Sequence, residues 1–293
     1  MQLFVNDLTV IDFSYLCKER GIVGESWIVD VLLDGSLNEQ SMVLDFAIVK
    51  KQIKAIIDDA VDHKLLLPMQ ADELILADSP HHKNHKTLDY RSDRASYYMQ
   101  SPYCAFAQID CLVINVATVT EHLNAIIMAE LPANVKGLTL ILRPENITTD
   151  YYHYTHGLKL HDGNCQRIAH GHRSKIQILI DDEREATLEA AWCKRWKDIY
   201  IASEADRISA NDIQLSALAK NNLTPDHQYF SYTAPQGRFD IAVECKVLDV
   251  VDCDSTVELL ADFIARQLKK ELTNKTVKVI AYEGVAKGAI VSV

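Results

Sequence analysis

An internal repeat constrains this chain more than any other feature. The run Gly24-Glu25-Ser26-Trp27-Ile28-Val29-Asp30-Val31-Leu32-Leu33-Asp34 aligns without a gap on Gly171-His172-Arg173-Ser174-Lys175-Ile176-Gln177-Ile178-Leu179-Ile180-Asp181. The apolar positions coincide, and both runs alternate as a strand with one buried face does. A second pair follows, Val119 to Leu131 against Thr256 to Leu268, with Leu123, Ile126 and Ile127 falling on Leu260, Phe263 and Ile264. Both read as amphipathic helices. Each is followed by a β-rich run, Leu138 to Leu142 and Val277 to Tyr282. Two units, about 1–150 and 151–293, therefore account for nearly the whole chain.

The first unit reads in order as a strand near Leu3–Phe13, a strand near Trp27–Leu33, a helix near Phe46–Val61, the helix Val119–Leu131 and the strand Leu138–Leu142. Such a plan buries one sheet face under two helices, an α+β layer. The stretch 79–101, with His81, His82, His85 and many charges, reads as an insertion or mobile loop. Its histidines read as solvated loop residues, and Glu121 and Glu258 as structural residues on matching helices. Trp192 and Trp196 sit at helical spacing and are expected in a core. The stretch Ala186 to Gln228 has no clear periodicity.

Charge excludes some partners. Lysine plus arginine number 30 against 41 acidic residues, a formal charge of −11, so no broad nucleic-acid or anionic-membrane surface is expected. No run approaches the ~18 apolar residues of a membrane span. Met1 to Val10 lacks a basic n-region, so no signal peptide is expected. Seven cysteines, an odd number without a CxxC pair, fit a cytoplasmic protein with reduced thiols.

The sharpest chemical signal is His156, Cys165 and His170-Gly171-His172. Residues two apart on a strand share a face, so His170 and His172 can present imidazoles to one ion, with His156 adding a third nitrogen from the neighbouring strand. Three neutral imidazoles suit zinc and leave its fourth position open. An isolated HxH pair, however, is more often chance or surface decoration.

The context of the pair resembles a known family. Tyr152-His153-Tyr154-Thr155-His156-Gly157-Leu158, then Cys165, then His170-Gly171-His172 is similar to the zinc and nucleophile region of 6-pyruvoyl- and 6-carboxy-tetrahydropterin synthases. Met42-Val43-Leu44-Asp45-Phe46, a helix, and Val61-Asp62-His63-Lys64-Leu65-Leu66 resemble that family's segment with an Asp-His dyad. Tyr282-Glu283-Gly284 resembles the segment whose glutamate anchors the pterin ring. The resemblance implies a tandem tunnelling fold (T-fold), two units each with an antiparallel four-stranded sheet and a helix pair on one face, assembled as a homo-oligomer.

For activity, the resemblance implies a zinc-dependent carbon–oxygen lyase that takes 7,8-dihydroneopterin triphosphate and eliminates triphosphate, nearer the 6-carboxy branch that feeds queuosine synthesis. It implies His156, His170 and His172 as metal ligands, Cys165, Asp62 and His63 as catalytic residues, and Glu283 or Glu145 as the pterin anchor. Two departures stand out. The ligand positions of the first unit align with Cys17, Val23 and Glu25, so one zinc per chain is expected. The second unit lacks a clear dyad, its nearest candidate being Asp226-His227. One composite site per pair of units follows, within a chain or between chains. Rival readings are an aldol cleavage of a related pterin, another purine reaction, and a pterin-binding scaffold without turnover. A core role for Cys165 and a solvated helix end for Asp62-His63 also stay open.

Overall fold

A computed structural model describes residues 1–39 and 41–293, with Ile48 described by its backbone. In chain order the first unit runs β1 (Gln2–Cys17), β2 (Gly21–Gly35), α1 (Phe46–Ala60), β3 (Leu65–Pro68), β4 (Leu74–Asp78), β5 (His85–Arg91), β6 (Ser96–Pro102), β7 (Phe106–Ile109), α2 (Val116–Glu130) and β8 (Val135–Pro144). The second runs β9 (Tyr151–His156), β10 (His170–Ile180), β11 (Glu183–Arg184), α3 (Ala186–Arg195), β12 (Ile199–Ser203), α4 (Ala217–Asn222), β13 (His227–Ala234), β14 (Gly237–Glu244), β15 (Leu248–Val251), α5 (Val257–Glu271), β16 (Val277–Tyr282) and β17 (Gly288–Ser292). The α+β class and the tandem T-fold hold.

Three sheets carry these strands. The first has the order β7-β3-β1-β2-β8 and the second β15-β12-β9-β10-β16-β17, with β11 beside β10. Helices α1 and α2 cover the first through Ile53, Ile57, Leu123 and Ile127, packed with Ile11, Phe13 and Val29. Helices α3 and α5 cover the second through Trp192, Trp196, Leu260 and Ile264, packed with Tyr152, Ile176 and Val279. The second sheet has four long antiparallel strands; the first has three. Each is extended by two short strands running parallel, β3 and β7 in one, β12 and β15 in the other. These runs escape a period-two search because β3 and β12 are buried at every residue.

The third sheet, β13-β14-β6-β5-β4, corrects the reading of 79–101 as a loop. Leu88, Tyr90, Tyr97 and Met99 are core residues there, and the interleaved charges hide the alternation. The second unit supplies β13 and β14 at the corresponding place, so the hairpin belongs to the repeat. Strands β6 and β14 pair with Met99 opposite Ile241, joining the two units.

The units also meet where β1 and β2 pack against β9 and β10. Gly24 pairs with Ser14 as Gly171 pairs with Thr155. These four equivalent residues face one another: Ser14 Oγ and Thr155 Oγ1 are 2.7 Å apart, and a Cβ on Gly171 would stand 2.6 Å from Gly24 Cα. A local pseudo-two-fold axis passes through this junction. The side chains that flank it build the site.

Candidate metal centre

Antiparallel pairing of β9 with β10 puts His156 opposite His170, and His172 follows two residues on. The three imidazoles converge, with ring centroids 4.4 Å apart for His156 and His170, 5.3 Å for His156 and His172, and 5.6 Å for His170 and His172. One ligand nitrogen from each lies within 4.8 Å of the others. All three side chains are buried.

The outer nitrogens of His156 and His170 are hydrogen-bonded, and that of His172 faces a carboxylate. His156 Nδ1 bonds Ser255 Oγ at 2.9 Å and His170 Nδ1 the Arg167 carbonyl at 3.0 Å. His172 Nδ1 stands 3.2 Å from Asp12 Oδ1. Each Nε2 is buried with no hydrogen-bond partner, and His172 Nδ1 makes none beyond its approach to Asp12. An orphaned buried polar atom is costly, and three aimed at one point fit a cation. Burial, reinforced by neighbouring imidazoles, holds His156 and His170 far below the usual histidine range and hence neutral, the form that ligates metal.

The dyad arrives from the first unit. Asp62 Oδ2 holds His63 Nδ1 at 2.6 Å, and the His63 ring is 5.2 Å from that of His170. His63 has a left-handed backbone (φ 53°), pinned by its N–H donating to the Asp12 carbonyl at 2.7 Å. Arg167 of the second unit donates to the carbonyls of Asp62 and His63, locking this turn onto the loop before β10. Cys165 sits half-buried in that loop, its sulfur within 4.8 Å of ligand nitrogens of His63 and His170. Burial opposes charge on His63, but the Asp62 carboxylate and the Cys165 sulfur outweigh it and push the imidazole up to about 10.

Glu283 and Glu145 part company. Glu283 Oε1 lies 3.7 Å from His172 Nε2, beside Lys287, whose Nζ is 3.7 Å from Glu283 Oε2. Gly284 makes this approach possible, because a Cβ there would stand 2.5 Å from Asp12 Oδ1. Glu145 instead pairs with Lys175 at 2.5 Å and accepts from Arg173 through its carbonyl. The structure thus brings His156, His170, His172, Cys165, Asp62, His63 and Glu283 together within one chain, and leaves Glu145 across the junction.

Two alignments change. The strand register makes Tyr15, not Cys17, the counterpart of His156, because Tyr15 pairs with Val23 as His156 pairs with His170. The counterpart of His63 is Asp198, not a residue of Asp226-His227. Asp198 shares the left-handed backbone (φ 56°), and its N–H donates to the His153 carbonyl as that of His63 does to Asp12. Arg20 grips Asp198 through Nε at 3.1 Å and Nη2 at 2.5 Å, filling the equivalent corner with an internal ion pair. His227 bonds Ser96 and Thr224 on the third sheet. Among the described residues, the groups able to gather three metal-binding side chains both include His170.

Pattern reading passed over Asp12, Lys287 and Ser255. Asp12 left one trace, an acid set between the apolar Ile11 and Phe13. Volume would have misled: a cavity of 690 Å³ between α1 and α2, lined by Asp59, Lys64 and His122, contains none of the convergent histidines.

A family model described as 6-pyruvoyl tetrahydropterin synthase matches residues 13–141 and 146–292. Among solved structures, 6-pyruvoyl tetrahydropterin synthase from Plasmodium vivax is similar at 17% identity and a TM-score of 0.38, covering 49% of this chain and 97% of that one. The Plasmodium falciparum enzyme gives 14% identity, the same TM-score and the same coverages. No curated protein matches the chain.

Proposed function

We propose that this chain, which belongs to the 6-pyruvoyl tetrahydropterin synthase family, is a zinc-dependent tetrahydropterin synthase with one composite site per chain. Its substrate would be 7,8-dihydroneopterin triphosphate and its reaction the elimination of triphosphate, in the 6-carboxy or 6-pyruvoyl manner. The observation that carries this reading is the set of three buried, unpartnered Nε2 atoms beside Cys165 and the Asp62–His63 pair.

His156, His170 and His172 would hold the metal. When bound, zinc supplies Lewis acidity toward oxygen groups of the substrate side chain. Cys165 is assigned the carbon-bound proton, taken up at Sγ. His63, its Nδ1 held by Asp62, keeps a proton at Nε2 and can pass it on. Glu283 is assigned the 2-amino and ring N–H edge of the pterin, since its carboxylate reaches the cluster and that of Glu145 is engaged by Lys175.

The test incubates pure protein with 7,8-dihydroneopterin triphosphate, with and without chelator, alongside the Cys165→Ala variant. Triphosphate release should depend on metal and fall by orders of magnitude in Cys165→Ala, while zinc content is kept. Loss of zinc from Cys165→Ala would make the cysteine a fourth ligand and the site a closed structural one. Aldol cleavage without triphosphate release would select the rival enzyme reading. Tight pterin binding without turnover would select the scaffold.

A further inference from the structure

Asp12 is a buried carboxylate on which three parts of the site converge. A charge in an apolar strand is costly unless partners compensate, and its side chain is only 4% exposed. Ser26 Oγ donates to Oδ1 at 2.5 Å, the same oxygen that faces His172 Nδ1 at 3.2 Å. Lys287 Nζ stands 3.1 Å from the other oxygen, so it neutralises the acid without displacing the imidazole. The Asp12 N–H donates to Asp62 Oδ1 at 2.8 Å, and its carbonyl accepts from His63.

From this geometry we propose that Asp12 is a positioning residue for the metal centre: its carboxylate keeps the His172 proton on Nδ1 and thereby aims the Nε2 lone pair at the ion. The proposal rests on the metal-centre reading above. A neutral imidazole has two tautomers, and only a partner on one nitrogen selects between them. His156 and His170 have a hydroxyl and a carbonyl for this purpose; His172 has Asp12. The pseudo-two-fold axis offers a comparison. The counterparts of Asp12 and His172 are His153 and Glu25, and these also meet, with His153 Nδ1 3.9 Å from Glu25 Oε2. The junction therefore builds an acid–imidazole contact on both sides, with the two groups exchanged. On one side the imidazole joins two others. On the other, His153 Nδ1–H donates to the Gly24 carbonyl at 2.6 Å.

The experiment measures zinc affinity of the full chain by competition with a chromogenic chelator, in the wild type, Asp12→Asn, Ser26→Ala and His170→Ala. Asp12→Asn should bind zinc about 10–100-fold more weakly, the range for loss of a carboxylate behind a metal-bound histidine. Histidine ¹⁵N spectra of the metal-free wild type should show one imidazole locked with its proton on Nδ1, and Asp12→Asn should release it, a change that a purely structural role would not cause. Ser26→Ala, which frees the carboxylate to turn, should give a smaller loss and serves if Asp12→Asn does not fold. Wild-type affinity in Asp12→Asn, or in Ser26→Ala should that alone fold, would overturn the proposal while His170→Ala still loses zinc. Zinc binding that survives His170→Ala would overturn the metal-centre reading itself, and this proposal with it.

Discussion

Single side chains distinguish the two halves of the repeat, and the half without the imidazole triad carries a titratable group of its own. Glu25 occupies the place of His172. Burial drives its carboxyl up to about 7, against the Ser26 N–H and the nearby Arg173 and Arg20, which lower it. The folded chain therefore holds a proton that the unfolded chain releases near 4.5. A state that binds the extra proton loses stability as pH rises through that window. The stability advantage of wild type over Glu25→Gln should decline between pH 4.5 and 7, read by denaturant unfolding at several pH values. An advantage that grows over this range would mean that Glu25 is ionised throughout. The convergence of His170 and His172 was legible from sequence because an HxH pair on a strand has a fixed geometry. Asp12 and Lys287 were not, because their roles arise from contacts between units, and no short spacing records such a contact.

At the next level the strands and helices were largely legible. Helix α1 and helix α2 fall within a few residues of their expected ranges, β2 contains its aligned run, and β10 covers all of its own but Asp181. Register was harder. The loop between β1 and β2 spans 18–20, against 157–169 between β9 and β10, so sequence alignment slid the first ligand position onto Cys17. Only the backbone ladder places Tyr15 there. The hairpin of β5 and β6 was missed because lysine, histidine and arginine crowd its ends and turns, and because β6 is buried at every residue and shows no alternation. The junction of elements makes its own prediction. A Cβ on Gly171 would lie 2.3 Å from the Tyr154 carbonyl oxygen and 2.5 Å from Ser14 Oγ. Backbone cannot yield as a flexible side chain does, so Gly171→Ala should destabilise the chain by about 2–3 kcal/mol. Denaturation midpoints at constant slope would measure it, and an unchanged midpoint would contradict the packing described.

The complete chain behaves as two complementary units, one giving the imidazole triad and Cys165, the other the Asp62–His63 pair. Sequence left open whether this union occurs within a chain or between chains, because spacing along a repeat says nothing about which copy a unit faces. The 5.2 Å between the His63 and His170 rings places it within one chain. Mixing inactive His63→Ala and His170→Ala proteins under subunit exchange should therefore restore no activity, whatever the oligomeric state. Recovery would require sites shared between chains. The most direct measurement is elemental analysis of protein purified without added metal, with His170→Ala and His172→Ala beside it. The geometry predicts about one zinc per wild-type chain and none in either variant. Two tightly held ions per chain, or one that persists in both variants, would contradict it.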